Sequence, residues 1–209
     1  MSFPRQYRHT LTGRASAAGD EARTRVLEVA LDLFAASGYR GTSVAQVAQH
    51  AGLSQAGLLH HFPSKVALLT AALEYREETE GTRLEVDGVA PLGWAAFDAL
   101  TGLVDRNAAR PSIVRLFVTL SAEALDSAHP AHEWILNHYD SLTTWLTAAV
   151  EFGRDQGEFR PDTPVEALVR LTIATMDGLQ QQWLATDQGF DMAEEFRRYV
   201  ESQKQAWKT

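Results

Sequence analysis

The sequence predicts an all-α protein of about nine helices. Apolar residues recur three and four positions apart in one segment after another, which places them on one face of a helix. Glycine, proline and capping residues separate these segments at helical rather than strand lengths. No stretch alternates apolar and polar residues between turn signals, as a half-buried strand would. With 209 residues, 45% of them apolar, the chain is long enough to bury a substantial core.

The first helix is predicted over residues 20–37. Asp20 suits a helix N-terminus, because a carboxylate there caps backbone N–H groups and favours the positive end of the helix dipole. Gly38 supplies the C-terminal stop. The apolar face between them consists of Leu27, Ala30, Leu31 and Phe34. Residues 1–19 lack this spacing and are rich in small and polar types, which predicts a flexible arm.

Two short helices follow across a tight turn. Ser43 and Gln46 form a capping box that opens a helix of about eight residues, and this helix ends at Gly52. Ser54 caps the next helix, which Pro63 closes. Two short helices joined by a turn of three or four residues containing glycine are typical of a helix-turn-helix.

The rest of the chain is read as helical throughout. Ser64 caps a fourth helix that runs to about Gly81. Each later helix begins near a proline or a capping residue and carries apolar residues at helical spacing. These five helices are predicted at about 91–107, 111–125, 131–156, 164–184 and 191–207.

Composition argues against several classes of protein. The chain contains no cysteine, which excludes disulfides, thiolate metal sites and cysteine nucleophiles and indicates a reducing cytoplasm. The N-terminal arginines are followed by no apolar run, and no segment reaches the ~20 apolar residues of a membrane span. We therefore expect neither export nor membrane insertion. No motif indicates a cofactor or a metal site.

Charge is distributed unevenly along the chain. Residues 1–65 carry seven Lys or Arg against four acidic residues, which is +3 and leaves −11 for the remainder of the net −8. This asymmetry indicates an N-terminal part that faces phosphate and an acidic body with another task.

The third helix has the features of a recognition helix, which must approach base edges closely while its inner face packs on the preceding helix. Gln55 lies at its N-terminus, where a side-chain amide can pair with adenine N6 and N7. Ala56 and Gly57 add little bulk on the outer side. Gly57 costs the helix ~1 kcal/mol relative to alanine. A close approach to DNA is one explanation for it, and a glycine that the helix merely tolerates is the other.

Contacts to the phosphate backbone are expected at both ends of this region. His60 and His61 follow one turn after the base-reading residues, and Lys65 comes after the proline, so their donors can fix the protein on phosphates. The N-terminal arm carries arginines of the kind that can enter a narrow minor groove, although a disordered tail without a role in binding explains them as well. These are Arg5, Arg8 and Arg14.

The stretch from Thr24 to Ala72, which contains LDLFAASGYRGTSVAQVAQHAGLSQAGLLHHFPSKVALL, resembles the N-terminal DNA-binding domain of the TetR family of bacterial transcriptional regulators. The resemblance implies a cytoplasmic homodimer on double-stranded DNA with a palindromic operator, and a helical C-terminal domain whose small-molecule effector lowers DNA affinity. It implies an arm over 1–19, a DNA-binding domain over 20–66 and an effector-binding and dimerisation domain over 67–209.

Carried over by position, the resemblance assigns the DNA-facing residues. Leu59 departs from the family pattern, since members commonly place a phosphate-contacting tyrosine there, and Gly57 stands where threonine or alanine is frequent. The DNA-facing residues assigned in this way are Tyr39, Thr42, Ser43, Gln55, Ala56, Gly57, His60, His61 and Lys65.

The segment GEFRPDTPVEALVRLTIATMDGLQQQWL is similar to the BetI-like branch of C-terminal domains.

An effector pocket is expected in the middle helices, where aromatic and polar residues mix as they do in ligand sites, although ordinary cores share this composition. The acidic surplus and the tryptophans make a cationic ligand conceivable. The candidate residues are Trp94, Phe97, Phe117, Glu123, Trp134, Asn137, His138, Tyr139, Trp145, Met176, Gln180 and Trp183.

The last two helices are the candidate dimer interface, because the eighth is apolar over more than one face. One short recognition helix reads only a few base pairs, so that a useful affinity requires two copies related by a two-fold axis. Ala174 and Gly178 allow close helix approach, although a wide core-facing stripe explains the pattern as well. The predicted interface residues are Leu171, Ala174, Gly178, Phe196, Tyr199 and Val200.

Two other classes remain open from the sequence. A metalloenzyme is one alternative, because His129 and His132 with Asp126 are metal-binding residue types. Pro130 between the histidines breaks the helical spacing that a zinc pair uses, so that a polar loop is favoured and no catalytic residue is assigned. The other alternative is a helical, ligand-binding or purely architectural protein whose helix-turn-helix does not bind DNA.

Overall fold

The computed structural model describes residues 17–84 and 89–209, with side chains from 19 to 79 and from 89 to 209. Nine α-helices and no β-strand occur in this part of the chain, which confirms the all-α fold. The arginines of the predicted arm lie outside the described residues. The helices are α1 Ala17–Gly41, α2 Val44–Ala51, α3 Gln55–His61, α4 Lys65–Leu84, α5 Trp94–Ala108, α6 Pro111–Glu123, α7 His132–Asp155, α8 Val165–Ala185 and α9 Met192–Trp207.

The three serine caps predicted from the sequence are present, whereas α1 begins at Ala17, so that Asp20 lies in its first turn and not before it. Ser43 and Gln46 form a complete capping box at α2, with the Gln46 N–H donating to the Ser43 hydroxyl over 3.2 Å and the Ser43 N–H donating to the Gln46 side chain over 2.8 Å. Ser54 accepts the Gly57 N–H over 3.1 Å at the start of α3. Ser64 accepts the Ala67 N–H over 3.1 Å at the start of α4. These local bonds fix where each helix begins.

Two helix ends differ from the prediction. Gly38, expected to end α1, has φ 68° and ψ 177°, yet the helix resumes after it and runs to Gly41. Helix α5 begins at Trp94 rather than at Pro91, because Gly93 before it has φ 63° and ψ −149°, which is not helical. Both positions allow glycine and strongly disfavour other residues.

The chain divides into two compact units, which we name by their content. The described part of the helix-turn-helix unit comprises residues 17–80 and 115–136, and that of the C-terminal unit comprises residues 81–84, 89–114 and 137–209. The chain therefore passes between the units within α4, α6 and α7. The limits predicted for the DNA-binding and effector domains stay a prediction.

The core of the helix-turn-helix unit lies between α1, α2, α3 and the start of α4. Helix α1 packs on α2, and α2 packs on α3. The inner face of α3 is anchored by Leu58, which is fully buried, and Phe62 closes the same core at 3% exposure. Other buried members are Leu27, Ala30, Phe34, Val47, Leu68, Leu69 and Leu73.

The core of the C-terminal unit contains an aromatic cluster. The Trp94 ring stacks on Phe159 with 4.0 Å between centroids, and Phe97 packs against both rings. Helix α9 packs on α5 and α8, and it contributes the fully buried Phe196. Among the described helices, none is long and apolar enough to cross a membrane.

Candidate nucleic-acid interface

Helix α3 presents a small-sided outer face. Gln55, Ala56, His60 and His61 are exposed, whereas Leu58 on the opposite side is buried. A Cβ added at Gly57 would lie 3.2 Å from the Ser54 hydroxyl. Apart from the backbone of α3 itself and the adjacent residues, no other described atom lies within 4 Å of it. Within the described residues, therefore, the predicted base-reading side of α3 is exposed at Gln55 and Ala56 and uncrowded at Gly57.

The stretch of sequence around this face contains basic residues and no acidic ones. Between residues 33 and 73 the sequence contains no aspartate or glutamate, while it contains Arg40, Lys65 and three histidines. Arg40, His60 and His61 are exposed in the structure. This stretch brings several N–H donors and no carboxylate of its own to a phosphate backbone, while the Glu123 carboxylate of α6 lies beside Tyr39.

The side chains of Tyr39 and Lys65 contact each other beside the helix-turn-helix formed by α2 and α3. The Lys65 ammonium lies 4.3 Å from the centre of the Tyr39 ring, which is a cation–π contact. Burial raises the pKa of the Tyr39 hydroxyl above its ordinary value, so that it is a neutral donor at physiological pH. Both side chains are half-buried. The contact holds the lysine, which the prediction places on phosphate, against a defined surface.

Glu123 at the end of α6 is hydrogen-bonded to the last turn of α1. Its carboxylate accepts the backbone N–H of Tyr39 over 3.1 Å, and it lies 3.5 Å from Nε2 of His129. His129 accepts the Ala131 N–H at Nδ1 over 3.2 Å, so that the proton of a neutral ring is on Nε2, facing the carboxylate. The His129 ring also meets the Tyr39 ring edge-on, with 5.2 Å between centroids.

The contact of Glu123 with Tyr39 is not apparent from the sequence. We expected Glu123 in the effector pocket, and its carboxylate contacts Tyr39, 84 residues earlier in the chain. The signal that points to this position is Gly38, where an added Cβ would lie 2.7 Å from a Glu123 oxygen. A glycine at a helix end reports that something approaches, but it does not report what approaches.

Thr42 corrects one predicted DNA contact. Only 4% of this residue is exposed, and its hydroxyl donates to the carbonyl oxygens of Leu33, over 3.0 Å, and Gly38, over 2.9 Å. The side chain therefore faces inward and ties the end of α1 together. Ser43 next to it is exposed, and its hydroxyl serves as acceptor in the α2 cap, which leaves its proton for a further acceptor.

Thr42→Val is expected to lower the free energy of unfolding by about 1–2 kcal/mol, because the isosteric side chain fills the space while two buried carbonyl oxygens lose their donor. Base preference is expected to stay unchanged. Chemical denaturation and operator titration measure the two quantities, and Thr42→Ser, which keeps the donating hydroxyl, serves as comparison. A loss of base preference without a loss of stability would restore Thr42 to the DNA surface.

The predicted pocket residues divide between the two units. Phe117 and Trp134 lie in the helix-turn-helix unit, where their rings meet edge-on with 6.2 Å between centroids. In the C-terminal unit Trp94 and Phe97 belong to the aromatic core, and the Trp145 indole N–H donates to the Pro91 carbonyl over 2.9 Å. The remaining candidates lie on α7 and α8. They are Asn137, which is exposed, His138 and Tyr139, which are half-buried, and Met176, Gln180 and Trp183, which are buried.

On the predicted dimer interface, α9 departs from expectation. Phe196 and Val200 are 0% and 1% exposed, so that their own chain already covers them and they are not free for a partner. The Tyr199 hydroxyl is hydrogen-bonded to that of Thr172 over 3.0 Å, and burial raises its pKa. On α8, in contrast, Leu171 is 58% exposed, Ala174 is exposed and Gly178 is half-buried.

His129 and His132 form hydrogen bonds that stabilise the segment joining α6 to α7. Nδ1 of His132 donates to the Ala124 carbonyl over 2.8 Å, and Asp126 accepts the Ala128 N–H over 2.9 Å. Together with the His129 contacts, these bonds account for the polar residues of the segment as loop structure. Among the described residues, no group of three or more His, Cys, Asp or Glu is placed to hold a metal ion.

Known proteins match both halves of the chain. A family model described as "Bacterial regulatory proteins, tetR family" matches residues 26–72, and one described as "Tetracyclin repressor-like, C-terminal domain" matches residues 113–193. The second match carries no reference to the BetI-like branch, so that the similarity to this branch stays a prediction.

Individual relatives agree with these matches. The HTH-type transcriptional regulator RutR of Escherichia coli is 44% identical over 62 residues, which are 30% of this chain and 29% of RutR. The HTH-type transcriptional repressor KstR2 of Rhodococcus jostii is 28% identical over 166 residues, 71% of this chain and 72% of KstR2. The solved structure of a TetR regulator from Chloroflexus aurantiacus superposes with a TM-score of 0.75 and 26% identity over 90% of this chain and 96% of that one.

The two matching family models agree with the structure, in which α3 is anchored by the buried Leu58 and the C-terminal unit is helical. The chain belongs to the TetR family of bacterial transcriptional regulators.

Proposed function

We propose that the protein is a homodimeric repressor of the bacterial cytoplasm, which binds a palindromic operator and leaves it when a small-molecule effector binds. The outer face of α3 carries this proposal: it combines an exposed amide at Gln55, little bulk at Ala56 and Gly57 and exposed donors one turn later. Such a face fits a major groove, where an amide pairs with adenine and small residues permit close approach.

The exposed residues of α8 support its place in the proposed dimer interface. Leu171, Ala174 and Gly178 are spaced three and four residues apart on the outer side of α8, and they combine an exposed apolar side chain with two small residues. The exposed side of α9 carries ion pairs of Arg198 with Glu194 and Glu195 at 3.1 and 3.0 Å. We therefore propose that α8 forms the apolar centre of the interface and α9 a polar margin.

Effector release requires that the ligand binds more tightly to the arrangement that does not fit the operator. We propose that the ligand binds within residues 90–185 and that binding shifts α4, which moves the two reader helices off the half-site spacing. A ligand with equal affinity for both arrangements would release nothing.

Gel shift against the DNA upstream of the protein's own gene tests the proposal. Titratable binding to a palindrome, weakened by salt because phosphate contacts release counterions, supports the repressor. No binding at low salt favours the alternative, a helical ligand-binding or architectural protein whose helix-turn-helix does not bind DNA. Sedimentation of the free protein measures the dimer separately, and Leu171→Asp is expected to yield monomers.

Gln55→Ala is expected to relax base preference at one position of each half-site, with a loss of about 1–3 kcal/mol for the preferred base. The dependence of affinity on salt is expected to stay nearly unchanged, since no phosphate contact is removed. Titrations against operators that carry each base at that position measure both effects. Uniform weakening across all four bases would contradict the assigned role.

Lys65→Ala provides the contrasting case. We expect weaker binding to every sequence alike and a salt slope smaller by about 1, because one phosphate contact is lost. Lys65→Arg keeps the charge and the position over the Tyr39 ring, and is expected to retain the slope. An effect confined to one operator sequence would show that Lys65 reads bases.

A further inference from the structure

We propose that the effector carries a primary or secondary ammonium group, which donates to Asp177 and Gln180 on α8. The inference rests on the proposed release by an effector and names the chemical class of that ligand. It concerns the C-terminal unit alone, to which both residues and their neighbours on α7 belong.

Asp177 is a carboxylate with one occupied and one free oxygen. Its Oδ2 accepts the Tyr139 hydroxyl over 2.8 Å, which joins α7 to α8. Its Oδ1 is buried and has no hydrogen-bond partner among the described residues. Burial raises the pKa of this carboxyl group, while the Tyr139 hydroxyl and the nearby His138 lower it. A cation placed against Oδ1 would favour the ionised form.

Gln180 lies one turn further along α8 and has the same property. It is 5% exposed, and its side-chain oxygen Oε1 is buried without a hydrogen-bond partner among the described residues. Residues three apart lie on the same side of a helix. Two buried acceptors without donors therefore follow one another on one side of α8.

Buried polar atoms in folded proteins are almost always hydrogen-bonded, because an unpaired acceptor has lost its water without gaining a partner. Two such atoms in adjacent turns of one helix point to a donor that the described part of the chain does not provide. The neighbouring residues Met176 and Trp183 are buried and apolar, which suits an apolar body next to the donor group.

The chemistry of the two acceptors selects the ligand class. A carboxylate attracts a cation and opposes an anion, and two oxygen acceptors require hydrogen atoms on the ligand. A primary ammonium has three N–H donors and a positive charge. A quaternary ammonium has the charge but no N–H, and an alcohol has a donor but no charge.

Three probes of similar shape separate these terms: 2-phenylethylammonium, its alcohol 2-phenylethanol, and trimethyl(2-phenylethyl)ammonium. Titration calorimetry on the full-length dimer is expected to show that the primary ammonium binds about tenfold or more tightly than either of the others. Equal affinity for the primary ammonium and the alcohol, or no binding of the ammonium, would overturn the proposal.

Variants place the binding on these residues. Asp177→Asn and Gln180→Leu are each expected to weaken the primary ammonium about tenfold or more, while Glu166→Gln, an exposed carboxylate in the first turn of α8, is expected to leave its affinity unchanged. Unchanged affinity in Asp177→Asn would overturn the assignment. Gel shift without ligand tests the proposed repressor by itself, so that intact DNA binding with no ammonium effect sinks only this inference.

The thermal midpoint of the ligand-free protein gives a further readout, which does not depend on the choice of probe. If the Gln180 oxygen is reserved for a ligand, Gln180→Leu removes an unpaired buried acceptor, and the midpoint of the ligand-free protein is expected to rise. A fall in the midpoint would mean that the oxygen serves the fold, for instance through a bound water, and would overturn its role as a ligand acceptor.

Discussion

Gly93→Ala is expected to lower the free energy of unfolding by about 3 kcal/mol or more. With φ 63° and ψ −149°, Gly93 occupies a backbone region that is essentially restricted to glycine. A Cβ there would clash with the carboxylate of Glu158, so that the carboxylate must move. Urea denaturation of the variant and of the parent protein measures the difference.

The displaced carboxylate explains why the effect exceeds backbone strain alone. The same Glu158 oxygen accepts the N–H of Trp94 over 3.1 Å at the start of α5, and the Glu158 carbonyl accepts the Trp94 indole N–H over 3.2 Å. The Trp94 ring in turn stacks on Phe159. A shift of Glu158 therefore disturbs the helix start and the aromatic cluster together.

Gly157→Ala is the matched control. Gly157 also has a positive φ, 73°, but a Cβ there would meet nothing within 4 Å. The expected cost is roughly 1 kcal/mol, from the backbone conformation alone. Equal losses in the two variants would show that neither the Glu158 contact nor the glycine-restricted backbone region at Gly93 adds to the cost.

Local features of the fold were predictable because they depend on neighbouring residues. Ser43, Ser54 and Ser64 each cap a helix through a bond that spans three residues, and such bonds leave a signature in the sequence. The apolar stripe of α1 likewise predicted part of the core of the helix-turn-helix unit, since Leu27, Ala30, Leu31 and Phe34 are all buried.

Long-range contacts were not predictable in the same way. Glu123 bonds to a residue 84 positions away and Glu158 to one 64 positions away, and neither spacing follows from a helical period. The direction of Thr42 was missed for a related reason, since its two acceptors belong to the kinked end of α1. Phe196 and Val200 were assigned to a partner because an apolar stripe does not state which surface covers it.

Glu123→Ala is expected to lower the free energy of unfolding by about 2 kcal/mol and to weaken operator binding about tenfold. The first effect follows because the partly buried Tyr39 N–H loses its acceptor and His129 loses the carboxylate facing Nε2. The second follows because Tyr39, no longer fixed, stops holding the Lys65 ammonium over its ring. Denaturation and gel shift below the unfolding midpoint measure the two effects.

The salt dependence and two further variants show whether Glu123 acts through position. The salt slope is expected to stay unchanged in Glu123→Ala, since no phosphate contact is removed, whereas Glu123→Gln retains one acceptor oxygen and is expected to recover part of both losses. Gly38→Ala alone places a Cβ 2.7 Å from the carboxylate, and in the Glu123→Ala background its cost is expected to shrink to that of backbone strain. Strictly additive losses would mean that the carboxylate and Gly38 act independently, and an unchanged operator affinity in Glu123→Ala would confine the contact to stability.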